Sequence, residues 1–371
     1  MNLGPPDYES VALTNCAKSP EKESSAVTDI FIRVQKYSIN VKLQSFDAKN
    51  SAGPSILITF VTPNEMIMTI PVPEDNKYAA TIGFFDGVHR GHVHLLEQLK
   101  KAARERGLKS MAVTFPEHPR QILQTDYRPR LLSTPQDKVK LLEQTGIDYC
   151  FPLHFTSALA ALDAESFMTE YLQKKLGVQL LLVGHDHHFG HDTSLTIEDY
   201  RKIGERIGME VIPADAFLYE GTPISSSRIR RELVSGNVRT ANDMLGYRYT
   251  ISGTVVHGLQ NGRKMGFPTA NLGPYCEFMQ IPADGVYSAI ATVDGGTWPA
   301  MLNIGFRPTF QGTARTIEAH LLDFDQDIYF HELTLEFVDF LRPERKFSSP
   351  QELAAQLDAD REQVKRNLDN N

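Results

Sequence analysis

Two histidines, His89 and His92, follow a short apolar segment and stand among three glycines, Gly83, Gly87 and Gly91. Glycines allow a tight turn and a close approach of the backbone to a ligand. A helix that begins after such a turn presents unpaired N–H groups and a positive dipole end, which together bind anions. This pattern favours a polyphosphate site, although a capped helix start or a structural metal would use the same residue types.

A second polar group lies at residues 224–230, where Arg230 follows Ser225, Ser226 and Ser227 at the start of a predicted helix. Serines in this position commonly cap the helix, and we expect at least one of them to do so. A guanidinium matches phosphate oxygens with paired hydrogen bonds. Arg230 is therefore predicted to bind phosphate one turn inside an anion-binding helix start.

Histidines and aspartates cluster at residues 184–192, directly after another apolar segment, with Asp186 near its start. They are nearly contiguous rather than spaced four apart on a helix, as a common zinc site would require. A metal site, a structural loop and a nucleotide contact all remain open for this segment.

The residues at 262–271 form a further candidate site. Gly262 and Gly266 precede a rigid Phe-Pro pair, and the oxygen-bearing side chains of Thr269 and Asn271 follow. Side chains two positions apart on an extended segment point the same way, so these two could share a Mg²⁺-nucleotide site. The alternative is an ordinary β-turn with polar residues.

Glu318 lies on a predicted strand in which apolar residues alternate with Glu318, His320 and Leu322. The alternation directs its carboxylate away from the apolar neighbours. It is a candidate general base, and the alternative is a solvent-facing carboxylate with an ion-pair partner.

Alternating strands and helices from Tyr78 to about Gly246 predict a doubly wound α/β domain with a parallel sheet. The first strand, 79–84, leads to a helix predicted over 92–106, which places both histidines at the carboxyl end of a strand, where open α/β sheets bind nucleotides. Strands are also predicted at 147–155 and elsewhere along the domain.

Short β-rich segments after Gly246 predict a small antiparallel all-β barrel. A capping box at 349–352, with proline at the first helical position, opens a closing C-terminal helix. We expect an N-terminal extension of uncertain order at 1–65, an α/β domain at 66–246 and the barrel domain at 247–371. Translation could begin at Met66 or Met68 instead.

Residues 83–92 resemble the Gly-Phe-Phe-Asp-Gly-Val-His-x-Gly-His signature of the prokaryotic bifunctional riboflavin kinase/FMN adenylyltransferases. Residues 224–230 are similar to the Ile-Ser-Ser-Thr-x-Ile-Arg motif of the wider nucleotidyltransferase superfamily. Residues 262–271 resemble the riboflavin kinase motif, with Met265 in place of leucine. Four later blocks, at 284–287, 303–310, 318–324 and 340–344, are similar to kinase blocks in the same order.

The resemblance implies that riboflavin is phosphorylated by ATP to FMN, and that FMN then accepts an adenylyl group from a second ATP to give FAD and pyrophosphate. It implies Mg²⁺ as cofactor, held near Thr269 and Asn271, with Glu318, His89 and His92 as catalytic residues. The ATP contacts that it implies are Gly83, Phe85, Gly91, Asp186, Ser226, Ser227, Arg230, Gly262, Arg263, Gly266 and Pro268.

The chain departs from the family pattern at His187, after Gly190 and at residues 329–332. The first two departures leave open a chain in which only the kinase half works. A flavin- or nucleotide-sensing protein without turnover, and a nucleotidyltransferase for another substrate, are further alternatives.

The composition is that of an ordinary globular protein of 371 residues, with 41% hydrophobic and 23% charged residues. A net charge of −8 argues against a nucleic-acid or membrane-surface partner. Three cysteines, Cys16, Cys150 and Cys276, are too far apart in sequence to indicate a disulfide framework, which fits a reducing cytoplasm. We expect no export signal or membrane span. The oligomeric state stays open, and a homo-oligomer is compatible with the sequence.

Overall fold

The computed structural model describes residues 77–369, apart from 124–125, 127, 185–193, 259–261, 263–265, 274, 276 and 310–311, and the backbone of residues 27–34 and 37–44. Those two segments form an antiparallel hairpin of β1 (Val27–Val34) and β2 (Tyr37–Gln44) within a unit of its own, Met1–Thr62. The rest of the predicted extension and both candidate start methionines lie outside the described residues.

Five parallel strands form the sheet of the first large domain. In spatial order they are β5 (Tyr149–Pro152), β4 (Lys109–Thr114), β3 (Tyr78–Ile82), β6 (Val178–Val183) and β7 (Glu210–Pro213). The strand order reverses between β3 and β6, so the carboxyl ends of these two strands border the crevice where open α/β sheets bind ligands.

Helices cover both faces of this sheet because alternate residues of β3 are buried on opposite sides. Ala79 packs in one hydrophobic cluster with Leu99, whereas Ala80 packs in another with Leu172. The predicted doubly wound sheet is thereby confirmed. The helices are α1 (Arg90–Glu105), α2 (Pro119–Leu123), α3 (Pro135–Gln144), α4 (Ser157–Ala160), α5 (Ala164–Ser166), which continues as a π-helix over Phe167–Lys175, and α6 (Ile197–Ile207).

Three predicted elements have other boundaries in the structure. The first strand, predicted over 79–84, is β3 at Tyr78–Ile82. Helix α1 begins at Arg90 rather than His92, because His89 is its N-cap and accepts the N–H of His92 at 3.3 Å. The strand predicted over 147–155 is shorter, since only residues 149–152 pair with β4.

A β-hairpin and two helices connect the sheet to the second domain. The hairpin consists of β8 (Leu218–Tyr219) and β9 (Thr222–Pro223), and the helices are α7 (Ser226–Val234) and α8 (Val238–Leu245). Buried residues of both helices, such as Leu233 and Met244, share one hydrophobic cluster with the inside of the barrel.

The second domain is a closed antiparallel barrel, as predicted. Around the barrel the strands follow the order β10 (Thr250–Val256), β11 (Ala270–Leu272), β14 (Gly312–Leu321), β13 (Gly296–Thr309), β12 (Gly285–Val293) and β15 (Glu332–Arg342). The short β11 was missed by the sequence analysis, and the pairing of β13 with β14 continues to Thr309 and Gly312.

Helix α9 (Pro350–Asp369) packs on the outside of the barrel, where Val364 joins a cluster with Phe267, Met301 and Leu322. Its predicted capping box is half correct. The hydroxyl of Ser349 accepts the N–H of Glu352 at 3.2 Å, but the Glu352 carboxylate accepts the N–H of Ser348 rather than that of Ser349. Among the described residues, no helix combines the length and the apolar character that crossing a membrane requires.

Candidate active sites

The turn between β3 and α1 adopts a strained backbone. Phe85, Gly87 and Val88 have φ angles of 52°, 74° and 34°, in the region that favours glycine. Of the three predicted turn glycines, Gly87 alone has a positive φ. Gly83 and Gly91 provide space instead. A Cβ on Gly83 would lie 2.9 Å from the Phe85 ring, and a Cβ on Gly91 would lie 3.2 Å from the His89 ring. The glycines thus shape a compact turn beneath the histidines.

The two histidines stack on each other, with ring centroids 3.6 Å apart and an angle of 15° between the planes. The Nδ1 atom of His89 accepts the N–H of His92, which leaves Nε2 of His89 as its donor nitrogen. The Nδ1 atom of His92 is buried and makes no hydrogen bond within the described protein. Buried polar atoms normally have partners, so this nitrogen is one of few exceptions in the described chain.

Both imidazoles are held in their neutral form. Burial lowers the pKa of His89 to about 4, and the nearby charge of Arg230 acts in the same direction. Burial, together with His89 and Lys138, holds the pKa of His92 well below its usual value. At neutral pH the pair therefore offers N–H donors rather than positive charge.

Arg230 on α7 lies directly opposite the turn. Its Nη1 atom is 2.5 Å from Oδ2 of Asp86, and its Nη2 atom donates to the hydroxyl of Ser227 at 3.0 Å. Ser226 donates to the carbonyl of Asp86 at 3.0 Å. The serine that caps α7 is Ser225, which accepts the N–H of Arg228 at 3.2 Å. The expectation that one serine acts as a cap is confirmed, and Ser226 and Ser227 are left to face the site.

A cavity of about 430 Å³ lies between the turn and α7, at the carboxyl ends of β3 and β6. It brings together most of the residues predicted for the first site, with Gly184 at its edge. Those residues are Gly83, Phe85, His89, Gly91, His92, Ser226, Ser227 and Arg230. Asp186 and the rest of the histidine-rich segment lie outside the described residues, so its three interpretations stay open.

The sequence analysis missed two further groups near this cavity. His118 lines it, and burial lowers the pKa of His118 to about 4. Lys138 on α3 is 2% exposed, donates to the carbonyl of Phe115 at 2.5 Å and lies 3.8 Å from the centroid of the Phe84 ring. Burial lowers the pKa of Lys138 to about 8. The available signal was its position one helical turn before Leu142, on the buried face of α3.

The second site lies on the outside of the barrel, under α9. Glu318 pairs with Asn271 on one neighbouring strand and with Asn303 on the other. It is 8% exposed, and the hydroxyl of Thr269 donates to its Oε2 atom at 3.4 Å. Glu318 therefore points outward, as the alternation predicted, but it is nearly buried beside a cavity that Leu353 and Leu357 of α9 also line. This burial excludes an ordinary solvent-facing carboxylate.

A cavity of about 360 Å³ opens beside Glu318 and contains charged groups among apolar ones. Asn303 donates to Glu344 at 2.9 Å, and a Cβ on Gly305 would lie 2.1 Å from that carboxylate. Arg342 forms a paired contact with Asp360 of α9, with Nη2 2.7 Å from Oδ2. The remaining lining residues include Gly262, Phe267, Thr269, Phe306, His320, Arg345, Phe347, Leu353 and Leu357.

Thr269 and Pro268 also line a smaller cavity of about 250 Å³, which extends to Asp325, Asp327 and Tyr329. Thr269 lies at the border of both cavities. Molecules bound in the two cavities would therefore both lie next to the Thr269 side chain.

The remaining residues predicted for the second site vary in their placement. The amide of Asn271 lies against Gly258, where a Cβ would be 2.2 Å from Nδ2. Gly262 leaves room for the carbonyl of Phe267, and Gly266 has a φ of 81°. Arg263 lies outside the described residues.

The oxygen donors near Thr269 suit a hard cation. Hydroxyl, amide and carboxylate oxygens are supplied by Thr269, Asn271, Asn303 and Glu318, and Mg²⁺ prefers such ligands. No group of three or more His, Cys, Asp or Glu side chains that could hold a metal occurs in the described part of the chain. This donor set fits an ion shared with substrate phosphates rather than an all-protein cage.

Two family models match the chain. The model described as FAD synthetase matches residues 72–228, and the model described as riboflavin kinase matches residues 245–368. The first match contains the histidine turn and the second contains Thr269 and Glu318. The two cavities therefore fall in separate family modules, apart from Arg230 of the first cavity, which lies just after the first match.

Curated relatives extend over both modules. A bifunctional riboflavin kinase/FMN adenylyltransferase of Escherichia coli (strain K12) is 37% identical over 281 residues, which is 76% of this chain and 89% of the relative. A protein of the same description from Bacillus subtilis (strain 168) is 34% identical over 304 residues, which is 80% of this chain and 94% of the relative.

A solved structure shares the fold of both modules. A crystal structure described as a macrolide-efflux protein from Streptococcus pneumoniae has a TM-score of 0.73 and 33% identity, over 79% of this chain and 95% of that one. The likeness therefore covers almost the whole of the solved chain.

Proposed function

The chain belongs to the family of bifunctional riboflavin kinase/FMN adenylyltransferases, and we propose that its two cavities divide the family's two reactions between them. The kinase reaction transfers the γ-phosphoryl group of ATP to the riboflavin 5′-hydroxyl and releases ADP. The adenylyltransferase reaction joins the FMN phosphate to the α-phosphorus of a second ATP and releases pyrophosphate. The observation that carries this assignment is the presence of two separate polar cavities, one in each module.

Glu318 is the proposed general base of the kinase reaction. A base must lie within hydrogen-bond reach of the proton that it accepts, so riboflavin belongs in the cavity that Glu318 lines, under α9. ATP then approaches from the smaller cavity on the other side of Thr269. The proton of the 5′-hydroxyl moves to Glu318 as its oxygen attacks the γ-phosphorus.

Mg²⁺ is proposed at the border between these two cavities. Thr269 and Asn271 would hold it, and Glu318 is near enough to Thr269 to orient its hydroxyl. The ion would neutralise charge on the triphosphate.

The adenylyltransferase reaction requires alignment and charge stabilisation rather than a covalent intermediate. His89 and His92, both neutral, would donate N–H groups to the phosphate oxygens as charge develops. Arg230, oriented by Asp86, would neutralise the leaving pyrophosphate, with Ser227 beside it. Attack by the FMN phosphate at the α-phosphorus then expels pyrophosphate.

Three expectations stay predictions. A cytoplasmic location rests on the spacing of the three cysteines. The absence of a nucleic-acid partner rests on the net charge of −8. A homo-oligomer is compatible with the chain.

Isotope tracing tests the two proposed reactions by showing which phosphorus of ATP enters each flavin product. With γ-labelled ATP and riboflavin, we expect the label in FMN and, through FMN, in FAD. With α-labelled ATP, we expect the label in FAD alone. An α-label in FMN, or no label in any flavin, would contradict the proposal.

A further inference from the structure

The strained turn at residues 85–88 needs support from outside itself. Three of its four residues have positive φ angles, and two of these three, Phe85 and Val88, are not glycine. Such conformations persist only where the surrounding structure fixes them. The contacts that hold this turn therefore help to decide where His89 and His92 lie.

Both main-chain groups of Gly87 are held by distant side chains. The hydroxyl of Ser133 accepts its N–H at 3.1 Å, and the hydroxyl of Tyr247 donates to its carbonyl at 2.6 Å. Tyr247 lies beyond the end of α8, next to the first strand of the barrel. One of the two hydrogen bonds that hold Gly87 thus comes from the connection to the kinase module.

The other hydrogen bond comes from Ser133, which belongs to a segment, residues 130–133, that is attached to the barrel module. Leu131 pairs with the barrel module, since it donates to the carbonyl of Phe278 at 2.6 Å and accepts the N–H of Gln280 at 2.7 Å. The next residue, Leu132, donates its N–H to Oδ1 of Asp86 at 2.7 Å. Ser133 follows directly. Three successive residues of this segment therefore make three different contacts: Leu131 with the barrel module, Leu132 with Asp86, and Ser133 with Gly87.

We infer that Ser133 and Tyr247 are positioning residues for adenylyl transfer, and that the kinase module helps to fix the phosphate-binding turn of the other module through residues 278–280. This inference rests on the proposed function. It adds that the adenylyltransferase site is completed by contacts from the neighbouring module, although no barrel residue that the structure describes lines its cavity.

Three tyrosine-to-phenylalanine variants of the full chain test the inference. Tyr247 contacts the turn itself. The hydroxyl of Tyr249 supports Gln280 by donating to its carbonyl at 2.7 Å, and the hydroxyl of Tyr287 donates to the carbonyl of Ala283 at 2.5 Å, away from the segment at 130–133. Each change removes one hydroxyl that donates to a main-chain carbonyl, so the variants are matched in the hydrogen bond that they lose.

We expect Tyr247→Phe to lower kcat for adenylyl transfer by about tenfold, and Tyr249→Phe by about threefold. Tyr287→Phe should leave kcat for adenylyl transfer unchanged within about twofold. The riboflavin kinase activity of Tyr247→Phe should also stay within about twofold of that of the unaltered chain. Ser133→Ala should resemble Tyr247→Phe, and Ser133→Thr should restore most of the loss because it keeps the hydroxyl. The KM for FMN should not change in any of them.

Two results would overturn the inference: adenylyl transfer unaffected by Tyr247→Phe and Ser133→Ala, or equal losses in all three tyrosine variants with a parallel fall in kinase activity. The latter would indicate a general loss of stability. If the unaltered chain made no FAD at all, the proposed function would fail instead, so the two failures are distinguishable.

Discussion

The guanidinium of Arg230 lies 2.5 Å from the carboxylate of Asp86, which is itself 4% exposed. Burial raises the pKa of Asp86, while the N–H of Leu132 and the charge of Arg230 oppose that change. The pair joins α7 to the turn that carries the histidines. It orients Arg230 and still leaves N–H groups of the guanidinium for a phosphate.

The first prediction concerns this geometry. Arg230→Lys should lower adenylyl transfer by at least about tenfold, because one ammonium cannot keep the contacts to Asp86 and Ser227 and also bind phosphate as a fork. Phosphorylation of riboflavin should not change. The control is Arg231→Lys, an exposed arginine on the same helix. Equal activity of the two variants would contradict the role of Arg230.

The second prediction is a pH dependence of stability. The pKa of His89 falls from 6.5 to about 4 on folding, so between these values the unfolded chain binds a proton that the folded chain does not. The free energy of unfolding should therefore decrease as pH falls through this window, by up to about 3 kcal/mol from His89 alone.

Urea unfolding of the unaltered chain and of His89→Gln over that pH range measures this contribution. The stability difference between the two should shift in favour of the variant as pH falls. A difference that stays constant from pH 6.5 to pH 4 would show that His89 titrates normally in the folded protein.

The third prediction separates the two active sites. Glu318→Gln should lower FMN formation by about a hundredfold or more, because the amide cannot accept the proton of the 5′-hydroxyl. FAD formation from added FMN should continue. Glu336→Gln, which alters a barrel carboxylate that pairs with Arg248, is the control and should keep both activities. Undiminished FMN production by Glu318→Gln would rule out the role as base.

The fourth prediction concerns the buried ion pair between Arg342 and Asp360, which are 17% and 5% exposed. Asp360→Ala should lower the free energy of unfolding by about 3 kcal/mol, because it leaves the guanidinium buried without its partner. Asp358→Ala on the same helix breaks an exposed pair with Arg361 and should cost less than about 1 kcal/mol. Similar losses in thermal or urea unfolding would contradict the importance of burial.

Much of both sites could be predicted from the sequence because each motif is contiguous. The turn with His89 and His92 directly follows one strand, and Thr269 and Asn271 are separated by a single residue. Local spacing is therefore enough to bring the members of each group together. The alternation around Glu318 also predicted its outward direction correctly. It did not predict burial, because the cavity beside Glu318 is completed by residues of other elements, among them Leu353 and Leu357 of α9, which follows β15.

Other residues could not be found because their contacts join distant parts of the chain. Tyr247 and Gly87 are 160 positions apart, and Ser133 and Gly87 are 46 apart. No local pattern marks such residues, since their roles depend on how the two modules and their loops pack.

The most direct test is to incubate the purified chain with riboflavin, ATP and Mg²⁺ and to separate riboflavin, FMN and FAD over time. We predict that FMN appears first and FAD follows, that His92→Ala stops at FMN, and that Glu318→Gln makes FAD only when FMN is supplied. Formation of neither flavin nucleotide by the unaltered chain, or loss of both activities in either variant while the protein stays folded, would contradict two independent sites in one chain.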